Sequence, residues 1–413
     1  MRRVLALIAL ALLAVGAAPA AASTSPALLG TLSRSSAAAG SRSGAMVVEL
    51  PSGRTLFASR ADTPRVPASN EKLYTTSVSL LRFGAAGRLT TTVLGAGTLN
   101  AGTFTGNLYL RGGGDPTFGS AGFVSWAWGT GATVSDLARA VARAGIGRVR
   151  GDIVGDESFF DRRRGVPSTG YAFSYDIGAP LSALEFNRGL ANANGSAIQS
   201  HPAAFAANQL RAALRAAGVR VIGSIREGAT PATARRLARV SSPPMSTLIR
   251  LTNVPSDNYL AEMLLKDLGA AFGAGGSTAA GAAVVRARLA GFGIRPAALV
   301  DGSGLSHRDH TSPRQVVTLL SRMAASPTLA QPFRSSLAVA CRSGTLAYRM
   351  CGTAASGRCR GKTGTLSGVS ALSGYCPVSG GRTIVFSFLM NGVGNSGAHI
   401  LQNRMAAAIA AYG

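Results

Sequence analysis

The chain carries three lysines among its 42 basic residues, and two of them stand in tetrads with hydroxyl side chains. Lys72 follows Ser69 by one helical turn in Pro67-Ala68-Ser69-Asn70-Glu71-Lys72, and Lys362 opens Lys362-Thr363-Gly364-Thr365. Arginine supplies nearly all the other positive charge, so lysine is kept where charge alone would not serve. The amine of Lys can lose its proton in a suitable site, whereas guanidinium effectively cannot. A serine beside such an amine is placed to lose its hydroxyl proton, the step that turns it into a nucleophile. A third polar cluster, Ser256-Asp257-Asn258, lies between the two tetrads. Each motif alone has a bland explanation: chance for Ser-x-x-Lys, a helix cap for Ser-x-Asn, a strand end for Lys-Thr-Gly.

The elements that must position these residues follow from pattern. Met46 to Leu50, a Pro51-Ser52-Gly53 turn and Arg54 to Ala58 predict an antiparallel hairpin. Extended Arg65-Val66-Pro67-Ala68 leads into a helix that Ser69 can cap, with Leu73, Ser77, Leu80 and Leu81 on its buried face. That helix puts Ser69 and Lys72 on one side of its first turn. From about Arg88 to Ser242 short strand-like runs (Leu89 to Leu94, Asn107 to Arg111, Asp152 to Val154) alternate with Gly-rich turns and a helix at Val134 to Ala144. Gly112-Gly113-Gly114-Asp115-Pro116 lacks the Lys-Ser/Thr of a phosphate loop and reads as a tight turn, and Leu210 to Val221 reads as another helix-to-strand passage. Helices are expected from Met245 to Leu251, Tyr259 to Leu268, Ala279 to Gly291 and Ser312 to Ala324. Strands at Ser370 to Tyr375 and Arg382 to Met390 then precede a closing helix, His399 to Ala411.

Residues 1–23 read as an export signal: Arg2 and Arg3, a short apolar core, then small residues at Ala18-Pro19-Ala20-Ala21-Ala22. The core is too short for a stable span, and no later apolar run of about 20 residues follows. Residues 23 to 43 read as a loosely ordered leader. The mature chain is expected to be exported and soluble, whether periplasmic, cell-wall associated or extracellular. Its length calls for more than one domain, and 46% hydrophobic residues can build them. Four cysteines, Cys341, Cys351, Cys359 and Cys376, surround the Lys362 motif; an even count in an exported chain favours two disulfides over a metal site. Three pairings are possible, and Cys351 with Cys359 plus Cys341 with Cys376 is the expected one. No metal or other cofactor is expected. The net charge of +25 comes from arginines spread along the chain, without a basic tract or interleaved aromatics. Nucleic acid is therefore not the expected partner; a polyanionic cell envelope or a compositional bias explains the charge better.

Taken in order, Ser69-x-x-Lys72, Ser256-Asp257-Asn258 and Lys362-Thr363-Gly364 form the signature of serine penicillin-recognising enzymes. Further segments narrow the likeness: Leu108-Tyr109-Leu110-Arg111-Gly112-Gly113-Gly114-Asp115-Pro116-Thr117, Gly178-Ala179-Pro180-Leu181-Ser182-Ala183-Leu184 and Asp301-Gly302-Ser303-Gly304-Leu305-Ser306. With them the chain resembles the low-molecular-mass (class C) penicillin-binding proteins. These act as D-alanyl-D-alanine carboxypeptidases and endopeptidases and carry a large insertion between the first two motifs. The resemblance implies an α/β (α+β) fold with a transpeptidase/β-lactamase-like domain, an antiparallel sheet flanked by helices, from residues 24–88 and 243–413. Residues 89–242 would form an inserted, mainly-β domain flanking the cleft. The first two motifs lie closer together than two nested insertion modules would require, with the shortening after Asn187-Arg188. Ser343 stands where the family commonly has Asp.

The same resemblance implies roles. Ser69 is the nucleophile and Lys72 its base, its amine kept partly neutral by burial and the Lys362 cation. Ser256 relays the proton to the leaving amine, and Asn258 holds Lys72 and the substrate amide. Lys362, Thr363, Gly364 and Thr365 edge the cleft and receive the terminal carboxylate, while Ser69 and Thr365 N–H groups form the oxyanion hole. The expected substrates are peptidoglycan stem peptides ending in D-Ala-D-Ala, with β-lactams as covalent inhibitors. The alternatives are a β-lactamase or serine esterase on the same fold, or a non-catalytic peptidoglycan-binding protein.

Overall fold

Strand β1 (Ser43–Leu50) is buried along nearly its whole length, the mark of a strand covered on both faces. Its alternating residues feed two separate cores. Met46 and Val48 join the core that includes the helices Lys72–Phe83 and Pro313–Ala324, whereas Ala45 and Val47 join the one that includes Pro26–Ala38 and Asn395–Ala410. The computed structural model describes residues 25–192 and 195–412. The expected export signal lies outside the described residues.

One sheet has six antiparallel strands in the order β10-β11-β12-β13-β1-β2. These are β1, β2 (Thr55–Ser59), β10 (Ala338–Val339), β11 (Arg360–Leu366), β12 (Val369–Pro377) and β13 (Thr383–Asn391). On one face lie α2 (Lys72–Phe83), α6 (Met245–Asn253), α7 (Asn258–Phe272), α8 (Thr278–Ala290), α9 (Pro313–Ala324) and short α10 (Ala330–Ser335). The other face is covered by α1 (Pro26–Ala38) and α11 (Asn395–Ala410). Helix α1 overturns the expectation of a loose leader, because Leu28 and Leu32 are buried on the core that α11 closes with Met405 and Ile409.

The insertion begins at β3 (Thr90–Asn100) and ends with β9 (Arg235–Ser241), which pair with each other. Between them run β4 (Thr103–Gly113), β5 (Arg148–Arg150), β6 (Ile153–Asp156), β7 (Arg220–Ile222) and β8 (Ile225–Glu227). Helices α3 (Ala121–Ala127), α4 (Val134–Arg143) and α5 (Pro202–Ala216) complete it. The module is thus more mixed than the mainly-β reading: β4, β5, β6, β7 and β8 pair in parallel, and α4 and α5 pack on one face of the sheet. Parallel pairing needs crossovers, and the two long helices supply them.

A seam joins the two parts. Ile177, Ala179, Leu181 and Ala183 pack on Tyr259, Leu260 and Met263 of α7. The Gly-rich segment runs through this seam as a turn: a Cβ on Gly114 (φ +82°) would collide with the Asp267 carboxylate. Nearby, fully buried Lys266 donates to Asp161 Oδ1 at 2.6 Å and to the Arg163 carbonyl at 2.9 Å.

The cysteine pairing differs from the expected one. Cys341 bonds Cys351, and Cys359 bonds Cys376. Strand register decides the second pair: Arg360 lies opposite Tyr375, so the next positions outward, Cys359 and Cys376, face each other.

Candidate active site

Ser69 sits in a tight turn, Ala68–Glu71, that precedes α2. It does not cap the helix as expected; its hydroxyl turns to the amine of Lys72 instead. The chain enters this turn under constraint. Asn391 clamps Val66 with two hydrogen bonds, accepting from its N–H at 3.0 Å and donating to its carbonyl at 3.1 Å. Ala68 then adopts φ 48°, a left-handed conformation costly for a residue with a Cβ and typical of functional turns. Asn70 donates to the Lys362 carbonyl at 3.1 Å, tying the turn to β11. Gly364 makes that approach possible: a Cβ there would stand 2.6 Å from the Pro67 oxygen and 3.0 Å from the Ser69 nitrogen.

Lys72 is fully buried. Its Nζ donates to Ser69 Oγ at 2.9 Å, Asn258 Oδ1 at 2.6 Å and the Ser303 carbonyl at 2.7 Å. All three acceptors are neutral. Burial pulls its pKa down to about 8, while Glu262, Asp301, Asp257 and Glu71 oppose the drop from a distance. Burial accordingly carries the expected effect, but Lys362 does not; the influence runs the other way. Lys362 is itself held well below the ordinary lysine range, first by burial and then by Lys72.

The second and third motifs meet across the cleft. Lys362 Nζ donates to Ser256 Oγ at 2.8 Å and to the Thr363 carbonyl at 2.9 Å. Ser256 has φ 66°, a second left-handed residue at the site. Asp257 caps α7 by accepting from Leu260 N–H at 2.8 Å, and its other oxygen pairs with Arg188 of the insertion at 2.5 Å. Asn258 donates to the Asp176 carbonyl at 2.7 Å, so the insertion touches the second motif twice. Thr363 donates to Thr345 Oγ1 at 2.7 Å. Thr365 is exposed and borders a cavity of about 590 Å³ with Asp176, Leu305, His307 and Arg308. The geometry therefore gathers Ser69, Lys72, Ser256, Asn258, Lys362, Thr363 and Gly364 into one cleft, with Thr365 at its rim.

Several contributors lie outside the motifs. Glu262 stands one turn after Asn258 on α7, and its carboxylate accepts from Gly302 N–H (3.0 Å) and Ser303 N–H (2.8 Å). It thereby seats the carbonyl that Lys72 uses. The i, i+4 spacing from Asn258 is the signal that could have marked it. Glu71, buried beside Lys72, is pushed well up by burial, then by Asp301 and Glu262. Thr345 and Arg188 carry no local signal.

A family profile described as D-Ala-D-Ala carboxypeptidase 3 (S13) matches residues 29–197 and 194–412. It breaks a few residues after Arg188, where the sequence indicates shortening. A D-alanyl-D-alanine carboxypeptidase of Actinomadura sp. (strain R39) is 31% identical over 501 residues, covering 100% of this chain and 91% of the relative. Carboxypeptidase DacB of Mycolicibacterium smegmatis is 31% identical over 368 residues, covering 85% and 76%. In fold, the crystal structure of penicillin binding protein 4 (dacB) from Haemophilus influenzae superposes with a TM-score of 0.74 at 20% identity, covering 91% of this chain and 97% of that one. With the family profile spanning nearly the whole described chain, this protein belongs to the D-Ala-D-Ala carboxypeptidase 3 (S13) family of serine-type D,D-peptidases.

Proposed function

We propose that the chain cleaves the D-Ala-D-Ala bond of peptidoglycan stem peptides through an acyl-enzyme on Ser69, and that β-lactams acylate the same oxygen. The observation that carries this reading is the buried Lys72 amine, 2.9 Å from Ser69 Oγ and, among the described residues, without a direct carboxylate partner. Lys72 takes the hydroxyl proton as Ser69 Oγ bonds to the substrate carbonyl carbon. Backbone N–H groups of Ser69 and Thr365 hold the oxyanion, a contribution of about 10²–10³ in rate per donor. Ser256, hydrogen-bonded to Lys362, passes a proton to the leaving D-alanine nitrogen as the C–N bond breaks. Water then hydrolyses the ester and releases the shortened peptide.

Thr363, Thr365 and Lys362 receive the terminal carboxylate, and the edge of β11 offers backbone pairing for an extended peptide. The insertion, residues 89–242, supports the cleft through Arg188 and Asp176. Carboxypeptidase and endopeptidase action would use the same geometry, since both break a peptide bond after D-alanine. The expected leader at 1–23 and the two disulfides support export to the cell wall. Among the described residues no helix is long and apolar enough to cross a membrane.

Fluorescent penicillin should label the wild type covalently and leave Ser69→Ala unlabelled. Labelling of the Ala protein would overturn the assignment. Mass spectrometry of products from purified uncross-linked and cross-linked muropeptides then separates the two peptidase activities.

A further inference from the structure

The sheet of the insertion has one covered face and one open face. Val93, Leu108, Leu110, Val149 and Ala238 point into the core beneath α4 and α5. Side chains alternate along a strand, so their neighbours point the other way. Register places Thr92 opposite both Arg111 and Arg239, Leu94 opposite Arg236, Thr105 opposite Arg150, and Arg148 opposite both Thr103 and Arg220. Six arginines of β4, β5, β7 and β9 thus lie on the open face: Arg111, Arg148, Arg150, Arg220, Arg236 and Arg239.

Little on that face neutralises them. Asp156 is buried and reaches Arg111 at 3.9 Å while also accepting from Thr230. Arg226, on the same face of β8, is taken by Asp152 at 2.7 Å. No other ion pair involves these six arginines among the described residues. Near the catalytic part the face runs into a groove of about 440 Å³ that Arg88, Arg111 and Arg236 line together with Phe83 and Phe159. Farther out, Arg148 and Arg150 stand two residues apart on β5, about 6.7 Å along the strand. Charge is therefore spread along a track rather than gathered at a point.

We propose that this open sheet face binds a linear polyol-phosphate polymer, its phosphodiesters on the arginines and its hydroxyls on Thr98, Thr103, Thr105 and Asn107. Guanidinium matches phosphate oxygens in bidentate geometry, which favours phosphate over a diffuse anion. Single-stranded nucleic acid fits poorly, because its bases need a run of aromatic platforms, whereas among the described residues only Tyr109 stands on the sheet face itself and Phe83 and Phe159 are confined to the groove at its inner end. The surface lies apart from the Ser69 cleft, so it would hold the enzyme against an anionic matrix without occupying the catalytic groove.

The test is anisotropy of end-labelled poly(glycerol phosphate) titrated with the full chain at several salt concentrations. Binding should weaken steeply with salt. Reversing Arg148 and Arg150 together (R148E/R150E), or Arg236 and Arg239 (R236E/R239E), should lower affinity about ten-fold or more and reduce the salt slope by about two phosphate contacts. Arg322→Glu with Arg404→Glu makes the same charge change on exposed positions of α9 and α11 and should cost far less. Thermal melting and penicillin labelling report that each variant is folded; two separate pairs keep the test usable if one misfolds. Equal losses in the control pair would reduce the effect to net charge and overturn the proposal. So would undetectable binding by the wild type, or binding of oligo-dT as tight as that of the polyol phosphate.

Discussion

Helix α7 meets a buried lysine at two places, and the two are treated differently. Near its first turn, Lys72 of α2 is bound by Asn258 Oδ1, Ser69 Oγ and a backbone carbonyl. Near its third, Lys266 donates to the carboxylate of Asp161. Both side chains are fully buried, and burial lowers the pKa of both. The partner makes the difference. A carboxylate in contact secures a charged amine as a tie between catalytic part and insertion. Neutral acceptors hold an amine in place while leaving it able to give up its proton.

The sharpest way to break this comparison is to keep both charges and remove both proton transfers. Lys72→Arg should lower penicillin acylation by about 10²–10⁴, the range for a lost general base, although the positive charge stays. Lys266→Arg should leave acylation within a few-fold, with its effect confined to stability. Equal losses from both would mean that Lys72 acts only as a charge. Stopped-flow labelling decides it.

Titration gives the next largest effect. With Lys72 lowered to about 8, its neutral fraction falls about ten-fold per pH unit below that value, so acylation should rise from pH 6 to 8 and then level off. Stability follows the same shift with a definite sign. Between about pH 8 and 10.5 the unfolded chain keeps a proton on this lysine that the folded chain has lost, so the group's contribution to stability increases with pH there. Below pH 8 the buried charge works against folding. Lys72→Met should flatten that part of the stability curve in urea melts at stepped pH.

Asp161→Ala tests the other lysine. It leaves a buried ammonium with only the Arg163 carbonyl, and stability should drop by about 3 kcal/mol, the cost of stripping one partner from a buried pair. The loss should shrink at high pH, where Lys266 sheds its proton, while acylation by the folded fraction stays close to wild type. A pH-independent loss would show that Asp161 matters for packing rather than for charge.

The contrast also explains what could be read in advance. Ser69, Lys72, Ser256 and Lys362 were legible because their chemistry restricts residue type and their spacing follows from a helix turn or a strand. Lys266 stood outside every motif, since its partner Asp161 comes from the insertion and no local pattern links them. Helix α1 was hidden by small residues: three leucines among Ala, Ser and Gly do not make a visible stripe, yet the two that are buried, Leu28 and Leu32, suffice against α11. The disulfide pairing depended on the β11–β12 register, and local loop length pointed to a different partner. The first turns of α5 are hidden because they are largely alanine, whereas its end and β7 match the helix-to-strand passage read at Leu210 to Val221.

Glu262 sharpens the comparison at Lys72, since it acts there through backbone rather than by contact. Glu262→Ala would leave the buried N–H groups of Gly302 and Ser303 without their acceptor, at about 1–3 kcal/mol for an unpaired buried group. The Ser303 carbonyl should then lose its seat beside Lys72, and acylation should fall about ten-fold. Glu262→Gln keeps an acceptor oxygen and should restore most of the rate. Failure of Gln to rescue would assign the effect to the carboxylate's charge instead.

The smallest effect is expected at Thr345, where the Cys341–Cys351 loop meets the third motif. Thr345 N–H donates to the Val254 carbonyl just before Ser256, and its hydroxyl accepts from Thr363. One residue therefore braces both walls of the cleft, and the disulfide closes the loop that carries it. Thr345→Val keeps the shape but removes the hydroxyl, leaving Thr363 free to rotate. A hydrogen bond of this kind contributes about 1 kcal/mol, so KM for a D-Ala-D-Ala peptide should rise about five-fold with kcat nearly unchanged. That split is informative because in the proposed reaction Thr363 would meet the substrate carboxylate, a contact made before and during the reaction alike. An unchanged KM would mean that β11 alone orients Thr363, and a fall in kcat instead would move Thr345 into the proton path of Ser256.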